Sequence, residues 1–207
     1  GLHNSLHMSN NTSGFNYLFL GTTSEKRISF IGYNFKYAFS KLDKNLAKPY
    51  FTGLTADVTI HSEPIVTLGL IRSFLSGGDL ESPWPETDNP SMGDAMLLPF
   101  QQFFKKGLSQ DAYDQTLSVY SNITFPTSGL KIYFEIGAND HRYDIYDFLQ
   151  HPDHTAATIL GFRKYNLFNN ENLILGIEYT NLRRTRFDNR ATPNWYNRSW
   201  FDYNLYD

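Results

Sequence analysis

The densest group of chemically active side chains lies between residues 135 and 154. It combines carboxylates with histidines: Glu135, Asp140, His141, Asp144, Asp147, His151, Asp153 and His154. Histidine and aspartate are suitable metal ligands, but their spacing here matches no standard zinc motif. Aspartates that cap a turn fixed by Pro152 explain the same residues. We therefore predict no metal site and no cofactor.

Paired carboxylates also raise the possibility of glycoside cleavage, which needs two carboxyl groups roughly 5–10 Å apart. The candidates for such a pair are Glu135, Asp147 and Asp153. Loop capping and ordinary strand polarity account for these acids more simply. The chain also contains no nucleophile-elbow pattern of the kind found in many hydrolases. The sequence favours a protein that is not an enzyme and has no catalytic residues.

Carbohydrate binding is the chemistry that these side chains favour. Aromatic faces supply contact area for a sugar, and carboxylates, amides and arginines supply directed hydrogen bonds. Trp84 lies beside several acids, and Tyr146 lies next to Asp147. Arg72 and Arg163 would suit acidic sugars, because guanidinium groups make bidentate contacts. For any single aromatic residue, packing within a loop or at a membrane interface is the favoured explanation.

The elements that must position these residues are β-strands. Aromatic residues occupy every second position from Tyr33 to Phe39, and similar alternation follows along the chain. The alternating segments are 51–60, 65–74, 116–125, 130–137, 155–165 and 173–180. With a first strand near 16–23, about eight strands are expected. Short polar turns at 62–64, 126–129 and 169–172 predict an antiparallel meander.

Two insertions interrupt the predicted meander. The longer one spans 76–107, and its second half is expected to hold a short helix. The shorter one spans 139–154 and carries Ile145, Phe148 and Leu149 at helical spacing. No repeat or linker divides the chain, so we predict a single domain over residues 1–207.

Composition limits the class of protein. Aromatic residues make up 16% of the 207 residues and charged residues only 19%, below the roughly 25% typical of soluble domains. This excludes a disordered tail and a coiled coil. The net charge of -3 gives no basic field, so we expect no nucleic-acid partner. The absence of cysteine excludes disulfides and thiolate sites.

The alternation is typical of two classes of sheet. In a soluble sandwich or barrel the apolar face packs inside, whereas in a transmembrane barrel it faces lipid. Charged residues in mid-strand, such as Asp57, Lys131 and Glu178, suit a water-filled lumen or a solvent-exposed face. The aromatic content and the alternation of short turns with long connections favour the transmembrane barrel. We therefore predict an all-β, antiparallel transmembrane β-barrel.

An ordered set of motifs accompanies this pattern. It comprises Tyr133-x-Glu135-x-Gly137-x-x-Asp140, Asp147-Phe148-Leu149, Pro152-Asp153-His154, Leu160-Gly161, Glu178-Tyr179-Thr180 and Trp195-Tyr196. The order resembles that of the capsule assembly family typified by Wzi. The members of that family are outer-membrane β-barrels of Gram-negative bacteria. The resemblance is best over residues 131–196 and thinner before Pro64. It implies a non-catalytic barrel that binds or retains exported capsular polysaccharide at the cell surface.

The resemblance also implies partners and a set of site residues. The expected partners are surface polysaccharide, outer-membrane lipid or lipopolysaccharide, and other outer-membrane proteins. A barrel of that family needs more residues than 207, so the chain is expected to be part of a larger barrel. The candidate polysaccharide-binding residues are Arg72, Trp84, Glu135, Asp140, His141, Tyr146, Asp147, Asp153, His154 and Arg163.

Two alternatives remain open from the sequence. One is a porin-like transport barrel whose lumen is the functional element, and the other is a soluble β-rich carbohydrate-active enzyme. The basic cluster at Arg183, Arg184, Arg186 and Arg190 is equally ambiguous. It is expected either to contact anionic lipopolysaccharide or acidic capsule at a barrel rim, or to form a solvated turn.

Overall fold

The computed structural model describes Leu6 and residues 15–42, 48–76, 91–101, 113–139 and 156–181. Most of them belong to one antiparallel sheet of nine strands. The strands are β1 (Leu18–Gly21), β2 (Lys26–Ile28), β3 (Ile31–Lys41), β4 (Tyr50–Ile60), β5 (Ile65–Ser76), β6 (Tyr113–Phe125), β7 (Leu130–Asn139), β8 (Ala156–Lys164) and β9 (Leu175–Asn181). A helix, α1, spans Met92–Gln101, and a 3-10 turn spans Leu167–Asn169.

The strand order is β1-β3-β4-β5-β6-β7-β8-β9, and β2 pairs with β3 beside β1. From β3 onward each strand pairs with the next one along the chain, so the predicted antiparallel meander is confirmed. Within the described residues β1 and β9 do not pair with each other. The described sheet is therefore open, and the predicted closure into a barrel is not observed.

The connections differ at the two ends of the sheet. At one end, which we call the turn end, the links 61–64 and 126–129 join β4 to β5 and β6 to β7, and residues 165–174 join β8 to β9. At the opposite end, called the loop end, residues 42–49 join β3 to β4, and much longer stretches separate β5 from β6 and β7 from β8. The predicted insertions 76–107 and 139–154 both start at the loop end. Among the described residues, no helix is long and apolar enough to cross a membrane.

The pairing register assigns every strand residue to one of two faces, because residues opposite each other in a ladder point to the same side. The row that starts at Tyr37 runs through Leu54, Arg72 and Leu117 to Ala138. Rows of this parity form the apolar face. Its large exposed members are Leu18, Leu20, Ile28, Ile31, Tyr33, Val58, Ile60, Leu68, Leu70, Leu117, Val119, Phe134, Ile136, Leu160, Leu175, Ile177 and Tyr179.

Rows of the other parity form the polar face. The row from Asn34 passes through Asp57, Gly69 and Tyr120 to Glu135. Polar side chains along the rest of this face include Thr59, Thr67, Ser73, Thr116, Ser118, Asn122, Lys131, Tyr133, Arg163 and Glu178. The polar face is the more buried one around Glu135, whereas Leu160 on the apolar face is 49% exposed. In a soluble sheet packed on its own core, the apolar face is instead the more buried one.

Helix α1 covers one corner of the apolar face, near the loop end of β3, β4 and β5. Its buried Ala95 packs against Tyr37, Phe39 and Leu54. The helix begins with a capping box, in which the Asp94 amide donates to Ser91 Oγ and the Ser91 amide donates to the Asp94 carboxylate, each at 3.2 Å. The predicted short helix in the second half of the 76–107 insertion is therefore present.

Pro99 gives α1 an unusual attachment to the sheet. Proline has no amide hydrogen, so the Ala95 carbonyl one turn earlier lacks its usual helical donor. The fully buried Thr52 on β4 supplies that donor, since its Oγ1 lies 2.8 Å from the Ala95 oxygen. Tyr37 on β3 donates its hydroxyl to the Met96 carbonyl, also at 2.8 Å. Two sheet hydroxyls thus fix the helix at the position where proline interrupts its ladder.

Candidate functional site

The polar face carries a hydrogen-bonded acid near its centre. The Asp57 carboxylate on β4 accepts from Asn34 Nδ2 on β3 at 3.0 Å and from the Tyr120 hydroxyl on β6 at 3.1 Å. Tyr120 reaches it across the intervening strand β5, where Gly69 occupies the row between them. A Cβ atom on Gly69 would lie 2.2 Å from the Tyr120 Cζ atom, so only glycine leaves room for the ring.

The same arrangement occurs a second time on β7, β8 and β9. Tyr133 on β7 crosses Gly161 on β8, and its hydroxyl donates to Glu178 Oε2 on β9 at 2.7 Å. A Cβ atom on Gly161 would lie 2.3 Å from the Tyr133 Cζ atom. We call each such set a tyrosine bridge: a tyrosine, a glycine on the neighbouring strand, and an acid on the strand beyond. One bridge spans β4, β5 and β6, and the other spans β7, β8 and β9.

Glu135 lies between the two bridges and is the most deeply buried of the described acids, with only 7% of its surface exposed. Its carboxylate accepts from Ser118 Oγ on β6 at 2.7 Å and from the Leu6 backbone amide at 3.4 Å. Because donors satisfy both oxygen atoms, the charge is tolerated in a buried position. Glu135 therefore acts first as a fixed acceptor within the polar face.

Leu6 contacts the polar face far from its own place in the sequence. It is buried together with the Tyr133 ring, Ala157 and Ile159, which form a small apolar island among the polar side chains. The backbone amide of the same residue bonds to Glu135, which lies 129 positions away in the chain. The polar face thus holds both an aliphatic side chain and a main-chain donor at this point.

Cationic side chains border the second tyrosine bridge. Arg163 on β8 places its Cζ atom 5.9 Å from the centre of the Tyr133 ring, a cation–π arrangement. Lys131 on β7 is its register partner. An aromatic ring, a guanidinium group, two carboxylates and an ammonium group therefore meet on adjacent strands. Such a surface can bind a hydroxyl-rich or acidic chain through directed hydrogen bonds.

The structure brings together two of the predicted site residues and separates a third from them. Glu135 and Arg163 lie on the polar face of β7 and β8, on either side of Tyr133. Arg72 belongs to the apolar face, where its Nη2 donates to Gln115 at 2.9 Å and its Cζ atom lies 4.9 Å from the Phe74 ring centre. The remaining predicted residues lie outside the described residues: Trp84, Asp140, His141, Tyr146, Asp147, Asp153 and His154.

The sequence pattern did not single out the tyrosine bridges. Asp57 was expected only as a charged residue in mid-strand, and Tyr133 only as part of the ordered set of motifs. The available signal was an isolated glycine inside each strand pattern, at Gly69 and Gly161, which indicates a close approach by another group. Identifying that group requires the register across three strands. Among the described residues, no group of three or more histidines and acids could hold a metal ion.

A comparison of the chain with protein-family models, with curated proteins and with solved structures finds no match. The resemblance to the capsule assembly family therefore stays a prediction from sequence motifs.

Proposed function

We propose that this chain forms part of the wall of an outer-membrane β-barrel, with its apolar face toward lipid and its polar face toward the lumen. One observation carries this proposal: apart from Phe19, the large apolar strand residues that are exposed all lie on a single face. Leu68, Leu160 and Ile177 are 55%, 49% and 57% exposed. An apolar surface of this extent is unusual in water, whereas lipid is its natural surrounding.

The dimensions of the sheet agree with this proposal. Strands β3 to β8 contain 9 to 13 residues, and a tilted strand needs about 9–11 residues to cross a bilayer. Short links join β4 to β5 and β6 to β7 at the turn end, and long stretches separate β5 from β6 and β7 from β8 at the loop end. This contrast agrees with outer-membrane barrels, which have short periplasmic turns and long extracellular loops.

We further propose that the polar face binds surface polysaccharide without catalysis. Three half-buried charged groups support this: the Glu178 carboxylate of the Tyr133 bridge, the neighbouring Arg163 guanidinium group and the Lys131 ammonium group. They provide the directed hydrogen bonds that sugar recognition needs. Of the predicted binding residues, Glu135 and Arg163 belong to this surface.

The barrel is tested by fractionating cells that produce the full-length natural protein. Closed barrels resist SDS, so the membrane fraction is run on gels with and without boiling. We expect a band in the outer-membrane fraction that changes mobility on heating. A soluble protein whose band does not shift would contradict the barrel and would favour the soluble carbohydrate-active enzyme instead.

Polysaccharide binding is tested with Arg163→Gln in the same natural protein, by measuring retention of labelled capsular polysaccharide. A lost charged hydrogen bond costs about 1.5–3 kcal/mol, so we expect at least a roughly tenfold loss of affinity. Arg27→Gln is the matched control, because it removes the same charge from the exposed strand β2. Equal retention by the two variants would argue against a binding role for Arg163.

Porin-like transport is the second candidate function. It is favoured by the polar side chains that follow one another along the polar face, from Thr67 and Asn122 near the turn end to Ser73 and Thr116 near the loop end. A water-filled lumen requires such a lining. Single-channel recording in planar bilayers separates the two functions: steady conductance favours transport, and its absence together with glycan retention favours binding.

A further inference from the structure

The charges on the apolar face are all of one sign. Among the described strands, the charged residues at apolar-face positions are Lys26, Lys41, Arg72 and Lys164. The acids Asp57, Glu135 and Glu178 lie instead on the polar face. A face that meets only hydrocarbon has no use for charge. The charged residues of this face are all cations, which indicates that they face an anionic environment.

These cations lie at the margins of the apolar face and not in its centre. Lys41 and Arg72 lie toward the loop end and form the loop-end margin, whereas Lys26 and Lys164 lie toward the turn end and form the turn-end margin. Between the margins are the exposed aliphatic and aromatic residues of the apolar face. The arrangement therefore consists of an apolar band with a cationic edge on each side.

The separation of the two margins is the same at two places in the sheet. On β3, Lys41 lies eight positions from Tyr33, the register partner of Lys26. On β7, Ala138 shares the row of Arg72 and lies eight positions from Leu130, the register partner of Lys164. Eight positions span about 27 Å along a strand. For strands tilted by about 40° this gives about 20 Å across the band, close to the apolar thickness of an outer-membrane barrel of about 25 Å.

One side chain at each margin, Arg72 and Lys164, points away from the band. The Arg72 guanidinium group contacts Phe74 and Gln115, both of which lie nearer the loop end than Arg72 itself. The Lys164 ammonium group donates to the carbonyl of Ser128, in the turn that joins β6 to β7. Long basic side chains adopt such directions when their stems cross an apolar layer and their charges reach its surface.

We propose that the two cationic margins bind the anionic phosphate groups of lipid headgroups, one margin in each leaflet. This inference rests on the proposed barrel and adds the chemical class of its lipid partner. Each lysine or arginine near an anionic surface contributes about 1 kcal/mol, and the attraction is screened by salt. The loop-end margin meets one headgroup layer through Lys41 and Arg72, and the turn-end margin meets the other through Lys26 and Lys164.

The test uses the full-length natural protein, refolded into vesicles of phosphatidylcholine or of phosphatidylcholine mixed with phosphatidylglycerol. The readout is the enrichment of phosphatidylglycerol among the lipids that remain bound after extraction into detergent. We expect enrichment with the wild type and a loss of roughly fivefold for each margin cation removed. The test variant is Arg72→Gln with Lys164→Gln.

The matched control is Arg27→Gln with Lys36→Gln, which removes two exposed cations from the polar face of β2 and β3. It should keep the wild-type enrichment, and added salt should weaken the enrichment of the wild type. Inorganic phosphate distinguishes a lipid headgroup from a free anion. If phosphate, at the same ionic strength as the added salt, displaces the lipid, the lipid assignment is wrong.

A wild type that folds into both vesicles without enrichment overturns the inference and leaves the barrel standing. Failure to fold into either vesicle overturns the barrel and the inference together.

Discussion

At the scale of single residues, the polar face depends on side chains that reach across a strand. A tyrosine can contact an acid two strands away only if the residue between them has no side chain. Gly69 and Gly161 therefore limit the two tyrosine bridges more strictly than the polar residues do, because a hydroxyl or carboxylate can adjust its rotamer and a Cβ atom cannot.

The Tyr133 bridge supplies a direct test of this argument. Gly161→Ala should displace the Tyr133 ring and break its bond to Glu178, which lowers the free energy of unfolding by about 1–2 kcal/mol. Gly176→Ala on β9 is the control, because its Cβ atom would lie 3.6 Å from its nearest neighbour, an ordinary contact. The cost of Gly161→Ala should also shrink in a Tyr133→Ala background. An equal cost in both backgrounds, measured by urea unfolding, would show that the ring is not involved.

Thr52 offers a second test at this scale. Thr52→Val keeps the shape of the side chain but leaves the buried Ala95 carbonyl without its donor, at a cost of about 1–3 kcal/mol. Pro99→Ala restores a backbone amide that can bond to the same carbonyl. We therefore expect Thr52→Val to cost less in the Pro99→Ala background. Thr158→Val, on the half-exposed part of the same face, is the control and should change the urea midpoint little.

At the scale of elements, alternate residues of each strand lie on the apolar face and on the polar face. The effect of a charged substitution on the two faces differs between water and lipid. Leu160 on β8 lies in the middle of the apolar face, and Thr180 on β9 lies on the polar face. In water, both positions are exposed enough to accept an arginine. In a bilayer, only the polar-face position accepts one.

Leu160→Arg and Thr180→Arg therefore form a matched pair. In a bilayer, Leu160→Arg should cost about 2–4 kcal/mol, because its charge enters hydrocarbon near the midplane. Thr180→Arg should cost less than 1 kcal/mol. The measurement is the fraction of natural full-length protein that folds into vesicles, read from the heat-modifiable band. Equal folding of the two variants would contradict a lipid-facing apolar face.

The same scale shows what the sequence could and could not predict. Alternation predicted strands at 51–60 and 65–74, and the structure has Tyr50–Ile60 and Ile65–Ser76. It missed the short strand β2, since three residues are too few to show a period. Guanidinium chemistry placed Arg72 among the candidate sugar ligands without assigning it to a face. That assignment depends on the register between strands, which local pattern does not contain.

Contacts between distant parts of the chain were equally hidden from the sequence. The bond from the Leu6 amide to Glu135 joins residues 129 positions apart. The tyrosine bridges depend on three strands being in register at once. Glu135 and Arg163 were predicted as site residues from their chemistry. Their common position beside Tyr133 became visible only once the strands were paired.

At the scale of the whole molecule, the open edges of the described sheet are its clearest constraint. An unpaired strand edge is not tolerated in hydrocarbon, because its amide and carbonyl groups have no partners there. The apolar face continues to the last described strand through Leu175, Ile177 and Tyr179. In the proposed barrel, β9 must therefore have a second neighbour.

Amide hydrogen exchange tests this expectation in the natural protein refolded into vesicles. In an open sheet, only alternate amides of β9 bond to β8, and the others exchange quickly. In a closed barrel, successive amides of Leu175–Asn181 should all exchange slowly. Strand β7, which has neighbours on both sides, provides the reference for full protection. An alternating pattern in β9 beside uniform protection in β7 would contradict closure.

The pairing of each strand with its successor has a consequence for how such a sheet changes in size. From β4 onward, each described strand pairs only with strands that are its neighbours in the chain. A hairpin added to or removed from an end leaves the ladders of the remaining strands intact. Growth by duplication of a hairpin therefore needs no rearrangement of existing contacts. In the proposed barrel, the circumference can therefore change in steps of two strands.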